Sequence, residues 1–251
     1  MKGRFMLRSF FVVLVSVICM PVAIAGIATT RHNLSISGPG EVKATTEQRL
    51  CVFCHTPHRA ISNIDGVTVP LWNHTLSNAV YMLYSSPTLL SPPLQPDGSS
   101  RLCLSCHDGT VALGSVVNTG TSLSSIGMMG TGGSGEMPAG PSNVGTDLSG
   151  DHPISLEINT SLIDQKEQQC TNGEVVFKIC RPPAGSPVLL EKTNNRFGGT
   201  PSGVGVQCST CHDPHEDPVP GVSVFLRTGD RNSHDQLCSA CHIDDCAAPC
   251  P

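Results

Sequence analysis

Residues 51–58 read Cys51-Val-Phe-Cys54-His55-Thr-Pro-His58, and residues 208–215 read Cys208-Ser-Thr-Cys211-His212-Asp-Pro-His215. Each is followed by a plainer version of the same pattern, Cys103-Leu-Ser-Cys106-His107 and Cys238-Ser-Ala-Cys241-His242. Each is also preceded by an isolated histidine, His32 in one case and His152 in the other. The residues with chemistry to offer are therefore arranged as a tandem repeat: an upstream His, a Cys-x-x-Cys-His-x-Pro-His element and a Cys-x-x-Cys-His element.

Cys-x-x-Cys-His is the attachment signature of c-type haem. Two thiols one short turn apart each form a thioether to the two vinyl groups on one porphyrin edge, and the adjacent histidine reaches the iron as proximal ligand. One such match is weak, whereas four in a chain of 251 residues are specific. A zinc ribbon needs paired Cys-x-x-Cys but no histidine directly after each pair. A thioredoxin-like pair needs a strand and helix framework that the Gly- and Pro-rich flanks do not supply. A disulfide scaffold gains little constraint from bonds inside Cys-x-x-Cys. The reading is four haem c groups, attached through Cys51, Cys54, Cys103, Cys106, Cys208, Cys211, Cys238 and Cys241, with His55, His107, His212 and His242 proximal.

Composition agrees that something besides apolar side chains organises the fold. Only 4% of residues are aromatic and 14% charged, while 25 Gly and 20 Pro resist helix and strand interiors. The expected fold is a multihaem cytochrome c, mostly irregular with few short helices and strands. Leu76 to Tyr84 and Glu47 to Cys54 are expected as short helices, and Val175 to Ile179 and Val222 to Leu226 as short strands. Gly114 to Gly150 reads as a long irregular loop.

Residues 1–25 read as an export signal: Lys2, Arg4 and Arg8 precede the apolar run Phe10 to Met20, and Ala23-Ile24-Ala25 ends in a small-residue cleavage pattern. Lipidation at Cys19 is disfavoured by Ile18, where that chemistry wants a small residue. Residues 26–251 then form one tetrahaem domain of two dihaem units, about 26–150 and 151–251, exported to the cell surface or extracellular space, or alternatively retained in the periplasm. Loss of the signal takes the formal charge from −5 to −8. No basic stripe suggests a nucleic-acid partner, and no later apolar stretch is long enough to span a membrane.

Six histidines remain for the distal positions. The repeat places His32, His58, His152 and His215 in equivalent pairs, whereas His74 and His234 have no counterparts and stand as reserves. Met82, Met128, Met129 and Met137 lie outside the repeat. His58 stands too close to His55 to bind the opposite face of one iron, and the same holds for His215 and His212. If each such histidine serves the preceding unit, His215 binds a haem of the first unit and His58 a haem of a neighbouring subunit.

The chain resembles the doubled Cys-x-x-Cys-His family of exported multihaem cytochromes, most closely the tetrahaem members that polymerise into extracellular cytochrome filaments, or nanowires. The resemblance is carried by Arg31-His32-Asn33-Leu34-Ser35, the Cys51 to His58 element, Pro70-Leu71-Trp72-Asn73, Asp151-His152-Pro153-Ile154-Ser155 and Cys211 to His215. It implies a homopolymer in which one haem is completed by a histidine of the adjacent subunit, with redox proteins or extracellular acceptors as further partners. The stretch between His152 and Cys208 departs from the pattern, being far longer than that between His32 and Cys51.

Cys170, Cys180, Cys246 and Cys250 lie outside the haem motifs, and their even number in an exported chain suggests two disulfides, most simply Cys170 with Cys180 and Cys246 with Cys250. A metal site is the rival, without a zinc spacing. For function, bis-histidine irons offer no vacant position, so the chain reads as an electron carrier and not an enzyme. A filamentous conductor, a monomeric periplasmic shuttle and a multihaem reductase are the three forms this can take. The last needs an iron with an open face.

Overall fold

A computed structural model describes residues 26–64, 66–91, 93–193, 203–217, 224–233 and 235–250. The expected signal segment and His234 lie outside these residues. Regular structure is sparse, as the Gly and Pro content dictates. Four α-helices occur among the described residues: α1 (Gly98–His107), α2 (Thr160–Thr171), α3 (Cys208–Cys211) and α4 (Asp235–Cys238). Three of them carry haem-attachment cysteines, so helical turns are concentrated where two thiols must project together.

Strands are short and paired locally. β1 (Lys43–Ala44) pairs with β4 (Met128–Met129), and β2 (Ile61–Ile64) forms a hairpin with β3 (Val67–Trp72). β5 (Leu156–Glu157), β8 (Gly203–Val206) and β7 (Glu191–Thr193) form an antiparallel sheet in that order. β6 (Lys178–Ile179) pairs with β9 (His242–Ile243). Each of these pairings falls within residues 26–150 or within 151–251.

Several local expectations are corrected. Leu76 to Tyr84 is extended because its backbone is spent on distant partners: Gln95 Oε1 accepts from Tyr81 N at 2.9 Å, and Met82 N donates to Thr146 O at 2.9 Å. Of Glu47 to Cys54, only a 3₁₀ turn at Cys51–Phe53 forms. The strand expected over Val175 to Ile179 shrinks to β6. Residues 222–223 of the other expected strand lie outside the description, and Val224 and Phe225 have φ of 46° and 62°, a turn that leaves Leu226 in one bridge to His212. The Gly114 to Gly150 stretch is irregular apart from β4, as expected. Helices α1 and α2 were not anticipated.

The apolar interior is divided into small clusters. Val52 and Phe53 pack with Ala44, Val116 and Ile126; Trp72 packs with Ile64, Val69 and Leu102; Tyr81 packs with Leu104 and Leu148. Ile158, Leu162 and Val206 form a fourth. Every cluster lies beside a haem motif or the helix of the insertion, and none spans the chain. Among the described residues no helix is long and apolar enough to cross a membrane.

The long insertion is a clasp. Asn159 caps α2 by accepting from Leu162 N at 2.9 Å, and the helix ends at Asn172 and Gly173, whose φ of 75° suits glycine. The Asn172-Gly173 pair thus terminates the helix. Cys170 and Cys180 both point to the C-terminal segment, and the disulfides are Cys170–Cys246 and Cys180–Cys250, not the local pairs. The reason is β6–β9 pairing, which brings Cys180 N to Cys241 O at 2.8 Å and carries the tail along. Lys178 is fully buried, and its ammonium donates to Glu167 Oε1 at 3.1 Å and to the Cys246 and Ala248 carbonyls. These loops close over 76 and 70 residues, so each bond constrains the unfolded chain by about 4 kcal/mol. Peptide mapping without reduction should recover Cys170–Cys246 and Cys180–Cys250, and the double variant Cys180→Ser/Cys250→Ser should unfold at lower temperature.

Candidate metal centres

Each Cys-x-x-Cys-His sits on a tight turn whose backbone closes on itself. His55 N donates to Cys51 O at 2.7 Å in the first motif, and His212 N to Cys208 O at 3.0 Å in the third. In the second, the motif is the last five residues of α1, ending at His107.

Most of the motif histidines are then aimed by a backbone carbonyl. His55 Nδ1 bonds Pro70 O at 2.6 Å, His107 Nδ1 bonds Ser142 O at 2.7 Å and His212 Nδ1 bonds Val224 O at 3.2 Å. A carbonyl can only accept, so Nδ1 carries the proton and Nε2 keeps its lone pair for a metal. Two expected distal ligands follow the rule: His32 Nδ1 donates to Pro214 O at 2.9 Å, and His152 Nδ1 to Pro153 O at 2.9 Å. His242 departs from it, its Nδ1 being buried without a hydrogen-bond partner. Burial holds the His32 and His242 imidazoles below their usual range, hence neutral and able to ligate.

Three histidine pairs face each other at one distance. The ring centres lie 6.0 Å apart for His32 and His107, 6.2 Å for His55 and His215, and 6.1 Å for His152 and His242. Two imidazoles bound on opposite faces of one iron place their centres about 6 Å apart, given metal–nitrogen bonds of about 2 Å. The residues present therefore fit haem: His55, His107 and His242 would be proximal ligands, with His215, His32 and His152 as their distal partners. The two pairs equivalent by the repeat also match in ring orientation, at 79° and 76°, whereas the His55 and His215 rings are nearly parallel at 15°.

His212 and His58 have no facing histidine among the described residues. His212 lines an apolar cleft of about 210 Å³ with Cys208, Cys211, Leu104, Leu148 and Val206. His58 is exposed, its backbone N–H held by Thr56 Oγ1. The reserve His74 is fully buried, with Nδ1 donating to Thr75 O at 2.9 Å and Nε2 unpartnered.

The attachment cysteines of successive motifs lie near one another: Cys54 near Cys106, Cys103 near Cys208, and Cys211 near Cys238 and Cys241. Burial pushes the Cys54, Cys211 and Cys241 thiols up to about 11 in the unattached chain.

A further repeat was not read from the sequence. Residues 70–73 and 224–227 play one role: Pro70 and Val224 supply the carbonyls to His55 and His212, and Trp72 and Leu226 bridge to the same histidines. Leu71 O and Phe225 O accept from Thr56 N and Asp213 N, and both residues are left-handed, with φ of 48° and 62°. The residue types differ, so only backbone conformation carries the likeness.

Residues 200–246 match the family described as Doubled CXXCH motif, a stretch that contains the third and fourth motifs. No curated protein matches the chain. The match supports a multihaem c-type cytochrome: such motifs indicate covalently bound haem c and haem-based electron transfer. Left-handed backbone at Leu71 makes a local prediction. Leu71→Val should lower stability by about 1–2 kcal/mol in denaturant unfolding, because a β-branched residue tolerates this conformation least, whereas Leu71→Gly should not.

Proposed function

We propose that the chain is a tetrahaem electron-transfer subunit that polymerises into an extracellular cytochrome filament, with His58 completing the site of His212 in a neighbouring copy. The observation that carries this reading is the histidine pairing. His215, from the third motif, faces His55 of the first motif, one unit back along the chain. By the repeat, His58 should reach one unit back from the first motif, where its own chain has no such unit. The one proximal histidine left without a facing partner among the described residues, His212, is the repeat equivalent of His55. A second copy placed as the next unit would bring His58 to His212, continuing across the junction the pattern already present within the chain.

Local structure supports the assignment. His58 is exposed and its carbonyl is held by Asn118 Nδ2 at 2.8 Å, so the loop that presents it is fixed while the ring remains available. His74 belongs to no repeat and is enclosed by its own unit. When bound, haem c with two imidazole ligands changes oxidation state without taking up substrate and so supplies outer-sphere electron transfer. The protein's task is to orient imidazoles, exclude water and keep the four attachment sites in sequence. It is a conductor and not an enzyme, exported to the cell surface or medium, with redox proteins or extracellular acceptors at its ends.

Intact mass of the exported protein should show four covalent haems. In the wild type, negative-stain images should show filaments. His58→Ala should leave monomers in which one iron is high-spin by EPR, whereas His74→Ala should assemble normally. His32→Ala, His152→Ala and His215→Ala should each produce one high-spin iron within the subunit. A wild type that stays monomeric with all irons low-spin would identify a soluble shuttle instead.

A further inference from the structure

The first and second units meet at a buried polar junction that the histidine chemistry does not use. Asp97 occupies the position before α1, where an aspartate ordinarily caps its own helix, yet its side chain makes no such bond. The carboxylate turns away and accepts from Thr193 Oγ1 at 3.1 and 3.0 Å and from Gln207 Nε2 at 2.7 Å. Asp97 is 1% exposed and Gln207 is fully buried.

Gln207 is itself the residue before α3, and the two helix starts are tied to each other reciprocally. Gln207 Oε1 accepts from Ser100 N at 3.3 Å, Ser100 Oγ accepts from Cys208 N at 3.0 Å, and Ser99 and Ser209 hydroxyls meet at 2.5 Å. Gly98 has a φ of 48°, and a Cβ there would lie 3.0 Å from Lys192 O and 3.3 Å from Gln207 Nε2, so the approach depends on glycine. Ser155 completes the junction, donating to Gln207 Oε1 and accepting from Asp97 N. The helices joined in this way carry the second motif and the third.

We propose that Asp97 is a positioning residue that holds the second and third motifs in register and sets the reduction potentials of the haems they attach. Cys103 follows Asp97 by six residues, about 9 Å along a helix, and Cys208 directly follows Gln207. A carboxylate enclosed at that distance acts through a medium of low polarisability, where its field is far stronger than in water. A negative charge there favours the oxidised iron, so removing it raises the potential. The motifs at Cys51 and Cys238 are not tied into this junction, so the haems they attach should feel it less.

The inference rests on the four-haem reading, and one set of measurements separates the two. Wild-type protein is first weighed for four covalent haems, and an absence of haem overturns both. The holoprotein and Asp97→Asn are then titrated spectroelectrochemically. The expected result is a positive shift in two of the four midpoint potentials, with the other two held, and a return toward wild-type values in Asp97→Glu. If Asp97→Asn fails to take up four haems, Thr193→Val, which removes the hydroxyl that donates to both carboxylate oxygens and so leaves their negative charge less offset, must lower the same two potentials. Four unchanged potentials in either fully loaded variant overturn the inference while leaving the four-haem reading intact.

Discussion

Two imidazoles sharing one iron would stand about 6 Å apart, and this polypeptide brings distant histidines to that separation. Three histidine pairs satisfy it, at 6.0, 6.2 and 6.1 Å, although their members are separated by 75, 160 and 90 positions in the chain. Regular secondary structure is of little help in such a task, because each ring needs its own approach. The chain uses single carbonyls instead: Pro70, Ser142, Val224, Pro214 and Pro153 each fix one ring by accepting from Nδ1. Two of these carbonyls are presented by a turn with a left-handed leucine or phenylalanine, a backbone cost tolerated where a ligand must be aimed.

The same condition explains the divided interior. A domain of this size ordinarily builds one continuous apolar core. Here Trp72, Phe53, Tyr81 and their neighbours form separate small clusters, each set beside a Cys-x-x-Cys-His turn. The surface they leave uncovered, such as the cleft bordered by Leu104, Leu148 and Val206, is apolar. Polar contacts do the joining between units, through Asp97, Ser100 and Gln207, because hydrogen bonds have direction and fix a spacing that apolar packing would leave adjustable.

The sequence disclosed this protein unevenly, and the physical reasons are specific. Cys-x-x-Cys-His is covalent chemistry at fixed spacing, so the candidate attachment residues can be read without any knowledge of the fold, and the repeat ranks His32, His58, His152 and His215 above His74. Secondary structure was poorly legible. Leu76 to Tyr84 has a helical composition, yet its N–H and C=O groups are claimed by Gln95, Thr146 and Leu148, which no local pattern reveals. The disulfides were misread because nearness in sequence stood in for nearness in space. The equivalence of residues 70–73 and 224–227 could not be read at all, since Leu71 and Phe225 share a backbone angle and not a side chain.

The crossed disulfides have a consequence for how the molecule is made. Each joins a cysteine that precedes the third motif to one that follows the fourth. Neither bond can therefore form until both intervening motifs have been synthesised. The chain holds twelve thiols after residue 25, eight of one destiny and four of another. Sorting them by recognition alone would be demanding in an oxidising compartment, where neighbouring thiols pair readily. With this connectivity neither native disulfide can close over the third and fourth motifs before both are present in the chain.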